Sequence, residues 1–264
     1  MPDTLRSSTD NADARIAHVR DRVRQVADDV FHVRGTEVNW YLVRDGADVT
    51  LIDSGYPGDL GRVEESVRTI GRRPEDVRAV LLTHAHVDHM GAAQHFADRY
   101  GTSVLTDEVE ARHAHREFLE QAGPLDVTKN LWRPGVLPWL TKVMRVGAAR
   151  NVTIPSAAQF PAAAALDLPG RPVPVPTRGH TSGHTCYFLP TAGAVCTGDE
   201  LVTGHAVSRT TGPQLPPAFF QDRDTRDAVL PLAELAADLI LPGHGNPLRM
   251  PIAQAVRQAR EETG

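Results

Sequence analysis

Four side chains that can bind a metal ion lie within six residues of one another, at His84, His86, Asp88 and His89. They directly follow an apolar stretch that predicts a buried strand, and they precede a predicted helix. In an extended backbone the side chains at 84 and 86 point to the same side, so two imidazoles can converge on one ion. Imidazole nitrogens and carboxylate oxygens suit Zn²⁺, with Fe or Mn as alternatives. This spacing predicts a metal site rather than a loop whose histidines merely face solvent.

Further candidate ligands lie in three glycine-containing turns in the second half of the chain. The motifs G-H-T-S-G-H, T-G-D and L-P-G-H-G contribute His180, Asp199 and His244. Each turn follows a predicted strand, at the end where α/β folds place their sites. Taken singly, Asp199 is compatible with a helix N-cap and His244 with an ordinary turn residue. Together with the cluster at 84–89, the three turns predict one centre with many ligands.

The segments around these motifs predict the elements that position them. The first half contains β-branched strands and amphipathic helices, in the order strands 30–33, 38–44 and 49–53, helix 59–70, strand 77–82, helix 90–100 and strand 103–106. The second half repeats this order, with strands at 173–177, 185–189 and 194–197, a helix near 223–236, a strand at 239–241 and a helix at 251–262. Two such halves favour a layered α/β domain over a single doubly wound sheet.

Composition limits the class of protein. The chain has 264 residues, of which 41% are hydrophobic and 23% charged, enough for a sizeable core. The apolar runs are too short to cross a bilayer, and no secretory signal is visible at the start. Two cysteines exclude a disulfide scaffold, and a formal charge of −5 argues against nucleic acid as a partner. We therefore expect a soluble, cytoplasmic protein with no integral membrane segment.

The chain divides into an arm and one domain in this interpretation. Residues 1–28 are polar and charged, and we expect a mobile or loosely docked N-terminal arm. Residues 29–264 would form the domain that carries the candidate ligands, interrupted by an insert at about 107–165.

Taken in order, the motifs T-H-A-H-V-D-H-M-G, G-H-T-S-G-H, T-G-D and L-P-G-H-G resemble the metallo-β-lactamase-fold hydrolases over roughly residues 30–250. The resemblance implies a four-layer αββα sandwich, with a helical insert between its halves and two Zn²⁺ ions at one edge. It assigns His84, His86 and His180 to one metal ion. It assigns Asp88, His89 and His244 to the other, and Asp199 would bridge the two ions. Asp53 matches a buried aspartate of the family, which would orient a ligating imidazole.

A dinuclear site of this kind generates a nucleophile from water, because two cations about 3.5–4 Å apart lower the pKa of a shared water to about 7. Asp88 would orient that nucleophile and carry a proton to the leaving group. We therefore expect a metal-dependent hydrolase of an ester, lactone or thioester of a moderately hydrophobic small molecule. The alternatives are a mononuclear iron oxidoreductase resembling the sulfur dioxygenases, and a biosynthetic cyclase or lyase that uses the same metal site.

Departures from particular family groups narrow the substrate. Asp199 stands where many true β-lactamases carry Cys or Ser, which disfavours an antibiotic lactamase. The tyrosine that quorum-quenching lactonases carry shortly after the bridging aspartate has no counterpart in residues 200–203. Acyl-homoserine lactones are thereby disfavoured, although lactones in general stay open.

The insert has an unusual composition. From 127 to 166 it contains no acidic residue, but it has five basic side chains and two of the three tryptophans. One interpretation is a helix that packs its apolar face on the domain and exposes its basic face to water. The other is a lid that offers an apolar wall and positive charge to a hydrophobic, anionic substrate. The residues that would contact this substrate are Trp132, Trp139, Met144 and, beyond the insert, His205. A homodimer contact and a membrane-surface helix are further alternatives.

Overall fold

The computed structural model describes residues 19, 21–161, 164–217 and 225–262. In these ranges the first half of the chain forms a seven-stranded sheet in sequential order. Its strands are β1 (Val23–Ala27), β2 (Val30–Arg34), β3 (Asn39–Asp45), β4 (Asp48–Ile52), β5 (Val77–Leu81), β6 (Ser103–Thr106) and β7 (Ala157–Gln159). Strands β1 to β4 pair antiparallel, and β4 to β7 pair parallel.

The second half forms a five-stranded sheet in the order β12-β11-β10-β9-β8. Its strands are β8 (Val173–Pro176), β9 (Thr185–Leu189), β10 (Ala194–Gly198), β11 (Leu239–Pro242) and β12 (Leu248–Arg249). Strands β10 and β11 are parallel, and the other neighbours are antiparallel.

Besides the two sheets, the described ranges contain eight α-helices. They are α1 (Leu60–Thr69), α2 (Val87–Met90), α3 (Ala93–Tyr100), α4 (Glu108–Ala114), α5 (Pro124–Lys129), α6 (Val136–Arg145), α7 (Thr225–Ala228) and α8 (Ile252–Glu262). No helix in the described ranges combines the length and apolarity needed to cross a membrane.

The core shows why the chain forms four layers. Side chains alternate across a strand, so neighbouring residues of β3 enter different clusters. Tyr41 and Val43 pack between the two sheets, against residues such as Leu189 of β9. Trp40 and Leu42 pack on the other face, in the cluster that includes the buried residues of α1 and α3. The outer face of the second sheet packs against α8 in the same way. The predicted αββα sandwich is confirmed.

The segment before residue 28 is more regular than expected. Residues 23–27 form β1, which pairs with β2 at the edge of the first sheet, instead of belonging to a mobile arm. An edge strand has one solvated side, so its sequence stays polar while its backbone hydrogen bonds hold it. The rest of the predicted arm, apart from residues 19, 21–22 and 28, lies outside the described residues.

Two other segments differ from the predicted elements. The insert contributes β7, which pairs with β6, so this part of it belongs to the sandwich itself. The helix predicted near 223–236 is instead α7 followed by a 3₁₀ helix at Leu230–Glu234, with residues 223–224 outside the described ranges. Pro231 explains the break, because it donates no backbone hydrogen bond and disfavours helical backbone before it.

Candidate metal centre

The candidate ligands meet at one end of the sandwich, because four of the strands end there. Asp53 follows β4, His84 follows β5, Asp199 follows β10 and His244 follows β11. Parallel pairing of β4 with β5 and of β10 with β11 places these ends side by side. His180 reaches the same edge from the loop between β8 and β9.

The structure brings together all seven residues that the sequence predicted as ligands. They form three overlapping groups, in each of which the ligand atoms lie within 4.8 Å of one another: His84, His86 and His180; His84, His89 and Asp199; and Asp88, His89 and His244. We call the first set the three-histidine group and the last set the aspartate group. Asp199 lies between the two.

Short distances between like or complementary atoms mark where an ion would fit. His86 Nδ1 lies 3.1 Å from His180 Nε2 in the three-histidine group. Asp199 Oδ2 lies 3.1 Å from His244 Nε2 and 3.7 Å from His180 Nε2, so one oxygen reaches toward both groups. Asp199 Oδ1 lies 3.3 Å from His89 Nε2. The Asp199 carboxylate therefore lies close to ligand atoms of both groups.

Unpaired buried atoms also fit a cation. Among the described residues, His84 Nε2, His89 Nε2 and Asp199 Oδ1 are buried and form no hydrogen bond. Burying a polar atom without a partner is costly, so cations bound at these atoms would remove that penalty. A Cβ atom at Gly243 would collide with the Asp199 carboxylate and the His89 ring, which explains the glycine in L-P-G-H-G.

In three of the candidate histidines, one ring nitrogen forms a hydrogen bond and the other is left for the metal. His89 Nδ1 donates to Asp53 Oδ2 at 2.8 Å, and His244 Nδ1 donates to the carbonyl oxygen of Glu37 at 2.6 Å. His86 Nε2 donates to the carbonyl oxygen of Glu120 at 2.5 Å. Such partners fix the tautomer and orientation of a ligating histidine.

Asp53 lies at the centre of one of these contacts. It is buried, and its backbone has φ of 59°, the left-handed region in which a residue other than glycine is uncommon. Besides His89, it accepts hydrogen bonds at 2.8 Å from the backbone N–H and from the hydroxyl of Thr83. Thr83 precedes His84, so Asp53 connects both ends of the H-x-H-x-D-H motif.

Burial and charge set the protonation of the site. Burial lowers the pKa of His86 to about 4 and holds the pKa values of His84 and His180 well below their usual value. These rings are neutral at pH 7, the form that binds metals. Burial opposes ionisation of Asp199, but the neighbouring His244 and His89 hold its pKa well below the ordinary range.

Several supporting residues were not found from the sequence. Asn39 donates from Nδ2 to the carbonyl oxygens of Pro242 and Gly245, at 3.0 and 2.8 Å, and so holds the loop of His244. Its own Oδ1 accepts from His32 Nε2 at 3.0 Å. An asparagine at the start of a strand, directly before the apolar run 40–43, was the signal available for it. Glu110 and Glu120, both in the insert, support the other loops.

Two of the four predicted substrate contacts lie at the end of the sandwich where the seven candidate ligands meet, which we call the metal edge. The ring centroid of His205 is 4.8 Å from that of His244, and the ring centroid of Trp139 is 6.1 Å from that of His205. Trp139 is buried in a cluster with Tyr56 and Val87, the residue between His86 and Asp88. The buried face of α6 therefore belongs to the same cluster as a residue of the H-x-H-x-D-H motif and lies beside His205.

The other two predicted contacts are exposed. Trp132 is 79% exposed and Met144 is 50% exposed. Trp132 lines a cavity of about 480 Å³ with Arg133, Arg209 and neighbouring residues, and its described lining includes none of the candidate ligands. The structure thus divides the insert into a face at the metal edge and a face in solvent.

Comparisons with known proteins identify the family of this chain. A family model described as the metallo-beta-lactamase superfamily matches residues 33–244. The uncharacterized protein YobT of Bacillus subtilis is 28% identical over 234 residues, which cover 85% of this chain and 91% of that protein. The Bacillus subtilis protein described as "Probable metallo-hydrolase YflN" is 25% identical, with 75% of each chain covered. A metallo-beta-lactamase family protein of Thermus thermophilus, TTHA1429, has a TM-score of 0.64 at 21% identity, covering 90% of this chain and 80% of its own. The chain therefore belongs to the metallo-beta-lactamase superfamily, whose relatives here include metallo-hydrolases.

Proposed function

We propose that this metal-dependent hydrolase binds two Zn²⁺ ions and cleaves an ester, lactone or thioester bond in a moderately hydrophobic small molecule. The observation that carries the proposal is the position of Asp199 between two groups of ligand atoms. One group offers three imidazole nitrogens, and the other offers two imidazoles and a carboxylate. Both donor sets suit zinc, and Fe or Mn would fit the same atoms.

The bound metals would supply a water of lowered pKa and polarise the bond to be cleaved. In the proposed reaction, Asp88 is the proton carrier of the site. Its side chain is 14% exposed, compared with 8% for Asp199, so it is the more accessible carboxylate. Its Oδ2 lies 3.4 Å from His244 Nε2, at the edge where the ligands meet. From there Asp88 would orient the attacking water, take up its proton and pass that proton to the leaving group.

His205 would hold the substrate rather than a metal. Its Nδ1 accepts a hydrogen bond from the backbone N–H of Val207 at 3.3 Å, which places the proton of the neutral ring on Nε2. Burial, together with the nearby His244, lowers the pKa of His205 to about 3, so the ring stays neutral. A neutral N–H donor beside His244 suits an oxygen of the substrate.

The apolar wall of the substrate site would come from α6. Trp139 lies beside His205, and its cluster includes Val87 of the metal-binding motif. Lys142 forms an ion pair with Glu37 at 2.5 Å, which fastens α6 next to the loop of His244. Arg133 and Arg145 are exposed and would attract an anionic substrate. A buried face that lies beside His205, together with exposed basic side chains, supports the interpretation of the insert as a lid.

The partner of the site is then a small molecule, as a net charge of −5 and the enclosed position of the ligands favour. A cytoplasmic location and a homodimer stay predictions from the sequence.

Elemental analysis combined with a substrate panel tests the proposal. The purified protein should contain two zinc ions per chain and hydrolyse at least one class among aryl esters, lactones and acyl thioesters. One iron per chain with oxidation of a persulfide would support the oxidoreductase alternative, which leaves the aspartate group unused. Conversion of a substrate without net hydrolysis would support the cyclase or lyase alternative.

A further inference from the structure

Glu110, on α4, is a fully buried carboxylate that belongs to neither group of candidate ligands. Its Oε1 accepts hydrogen bonds from the backbone N–H of Ala85 and from His113 Nδ1, both at 2.7 Å. Its Oε2 accepts a hydrogen bond from the hydroxyl of Thr181, also at 2.7 Å. A buried charge is costly unless donors surround it, so this carboxylate depends on all three contacts.

Two of the three donors, Ala85 and Thr181, belong to the two loops that carry the three-histidine group. Ala85 stands between His84 and His86, and Thr181 follows His180. The first loop comes from the first sheet and the second loop from the second sheet. Glu110 therefore holds the two loops together from behind, on the side away from the metal.

A second connection runs from Glu110 through His113. The Nε2 atom of His113 accepts the backbone N–H of Glu120 at 3.1 Å, which places the ring proton on Nδ1, facing Glu110. The carbonyl oxygen of Glu120 in turn accepts from His86 Nε2. The Glu120 carboxylate accepts the backbone N–H of Ser182 at 2.7 Å, which is again in the loop of the second sheet.

The backbone of the second loop approaches α4 closely. A Cβ atom at Gly183 would lie 2.5 Å from the backbone nitrogen of Glu110 and 2.9 Å from its Oε2. Only glycine allows this approach. The second glycine of G-H-T-S-G-H is thus explained by the position of Glu110 rather than by contact with a metal.

Burial alone would raise the pKa of Glu110, but the hydrogen bonds from His113, Thr181 and Ala85 hold that pKa below its usual value. The side chain is accordingly a carboxylate at neutral pH, and it accepts from every donor around it.

We propose that Glu110 is a positioning residue, whose buried carboxylate joins the two loops of the three-histidine group and sets the spacing of their ligand atoms. The inference rests on the proposed metal site, because it predicts how tightly one half of that site binds. It makes no use of the substrate. Its consequence is selective, since the hydrogen bonds of Glu110 go to Ala85, His113 and Thr181, none of which belongs to the aspartate group.

Zinc affinity measured separately for each group tests the proposal. The full-length chain is stripped with a chelator and titrated with Zn²⁺ in competition with a chromogenic chelator. In a His244→Ala background the three-histidine group is the better remaining site, and in a His86→Ala background the aspartate group is. Adding Glu110→Ala should weaken zinc binding about 10- to 100-fold in the first background and leave it within about threefold in the second.

Conservative and control variants separate positioning from general stability. Glu110→Gln should restore most of the affinity, because its amide oxygen can accept from Ala85 and His113 while its NH₂ group donates to the Thr181 hydroxyl. Asp59→Ala removes another fully buried carboxylate, which accepts hydrogen bonds from Thr36 and Arg62. It should not weaken zinc binding in one background more than in the other.

Equal losses in both backgrounds, or no loss in either, would overturn the proposal. If Glu110→Ala does not fold, Thr181→Val takes its place. It removes one donor, so it should weaken zinc binding in the first background by less than Glu110→Ala, and an unchanged affinity there would equally overturn the idea. A wild-type protein that binds no metal would instead contradict the proposed function. Two ions bound by the wild type, with no selective effect of Glu110→Ala, would contradict this inference alone.

Discussion

The metal edge and the insert at 107–165 are stabilised by different kinds of contact. At the metal edge, three imidazoles are oriented by the hydrogen bonds of 2.5–2.8 Å that they donate to the Asp53 carboxylate and to the carbonyl oxygens of Glu37 and Glu120. In α6 of the insert, an apolar face packs on the domain, and its opposite face leaves Leu137 58% exposed. Hydrogen bonds are directional and apolar contacts are not. The metal edge therefore fixes the positions of individual ligand atoms, whereas the insert fixes only which side of α6 faces the domain. Substitutions should therefore have large, localised effects at the metal edge and smaller, graded effects in the insert.

The largest effect is expected at the ligands themselves. His86→Ala or Asp199→Ala should remove at least one metal ion and lower turnover by orders of magnitude, because the proposed nucleophile depends on the ions. Metal content by elemental analysis and kcat on the best substrate of the panel measure this. His95→Ala is the control, since His95 pairs with Glu64 away from the ligands and should keep both properties. Full metal content and activity in His86→Ala and Asp199→Ala would contradict the expectation that substitutions at the metal edge have larger effects than those in the insert.

A smaller effect is expected one contact away from the metal. Asp53→Asn should weaken metal binding about 10- to 100-fold while the fold survives, because the amide orients the His89 ring less well than the carboxylate does. Metal titration and circular dichroism measure the two parts of this prediction. Asp29→Asn changes a carboxylate in the exposed pair with Arg44 and should have no effect on metal binding. Wild-type affinity of Asp53→Asn would show that this aspartate only shapes a turn.

The buried face of the insert should affect substrate choice. If Trp139 forms the wall beside His205, Trp139→Ala should lower kcat/KM for a long-chain ester by the roughly 1–3 kcal/mol expected of one apolar contact, and leave a short activated ester nearly unchanged. The ratio of kcat/KM for the two esters is the measurement. Equal losses on both would mean that Trp139 supports packing alone.

The smallest effect is expected on the exposed face of the same segment. Trp132→Ala and Met144→Ala should change kcat/KM on either ester by less than about twofold, because truncating side chains in solvent removes few contacts. A selective loss on long-chain esters would extend the substrate site to this face. Loss of a dimer in light scattering, or of binding to anionic vesicles, would assign the face to one of those partners.

The sequence by itself determined which residues are candidate ligands and that the fold is a layered α/β domain. The H-x-H-x-D-H spacing and the three later turns predicted all seven residues that meet at the edge. This was possible because the residue types are rare in such density and because strand ends predict where side chains collect. The alternation of strands and helices predicted a layered α/β domain, and the resemblance to the metallo-β-lactamase fold implied the αββα sandwich that the structure confirms.

Only the tertiary structure decided which residues support the ligands and which side of the insert meets them. Glu110 lies far along the chain from Thr181, and nothing local distinguishes it from a solvated helix residue. Trp132 and Trp139 are equally apolar in sequence, yet one is exposed and the other buried. The strand at 23–27 was missed for the same reason. Composition and periodicity report what a residue is and which local face it occupies, whereas its partners depend on contacts between segments far apart in the chain.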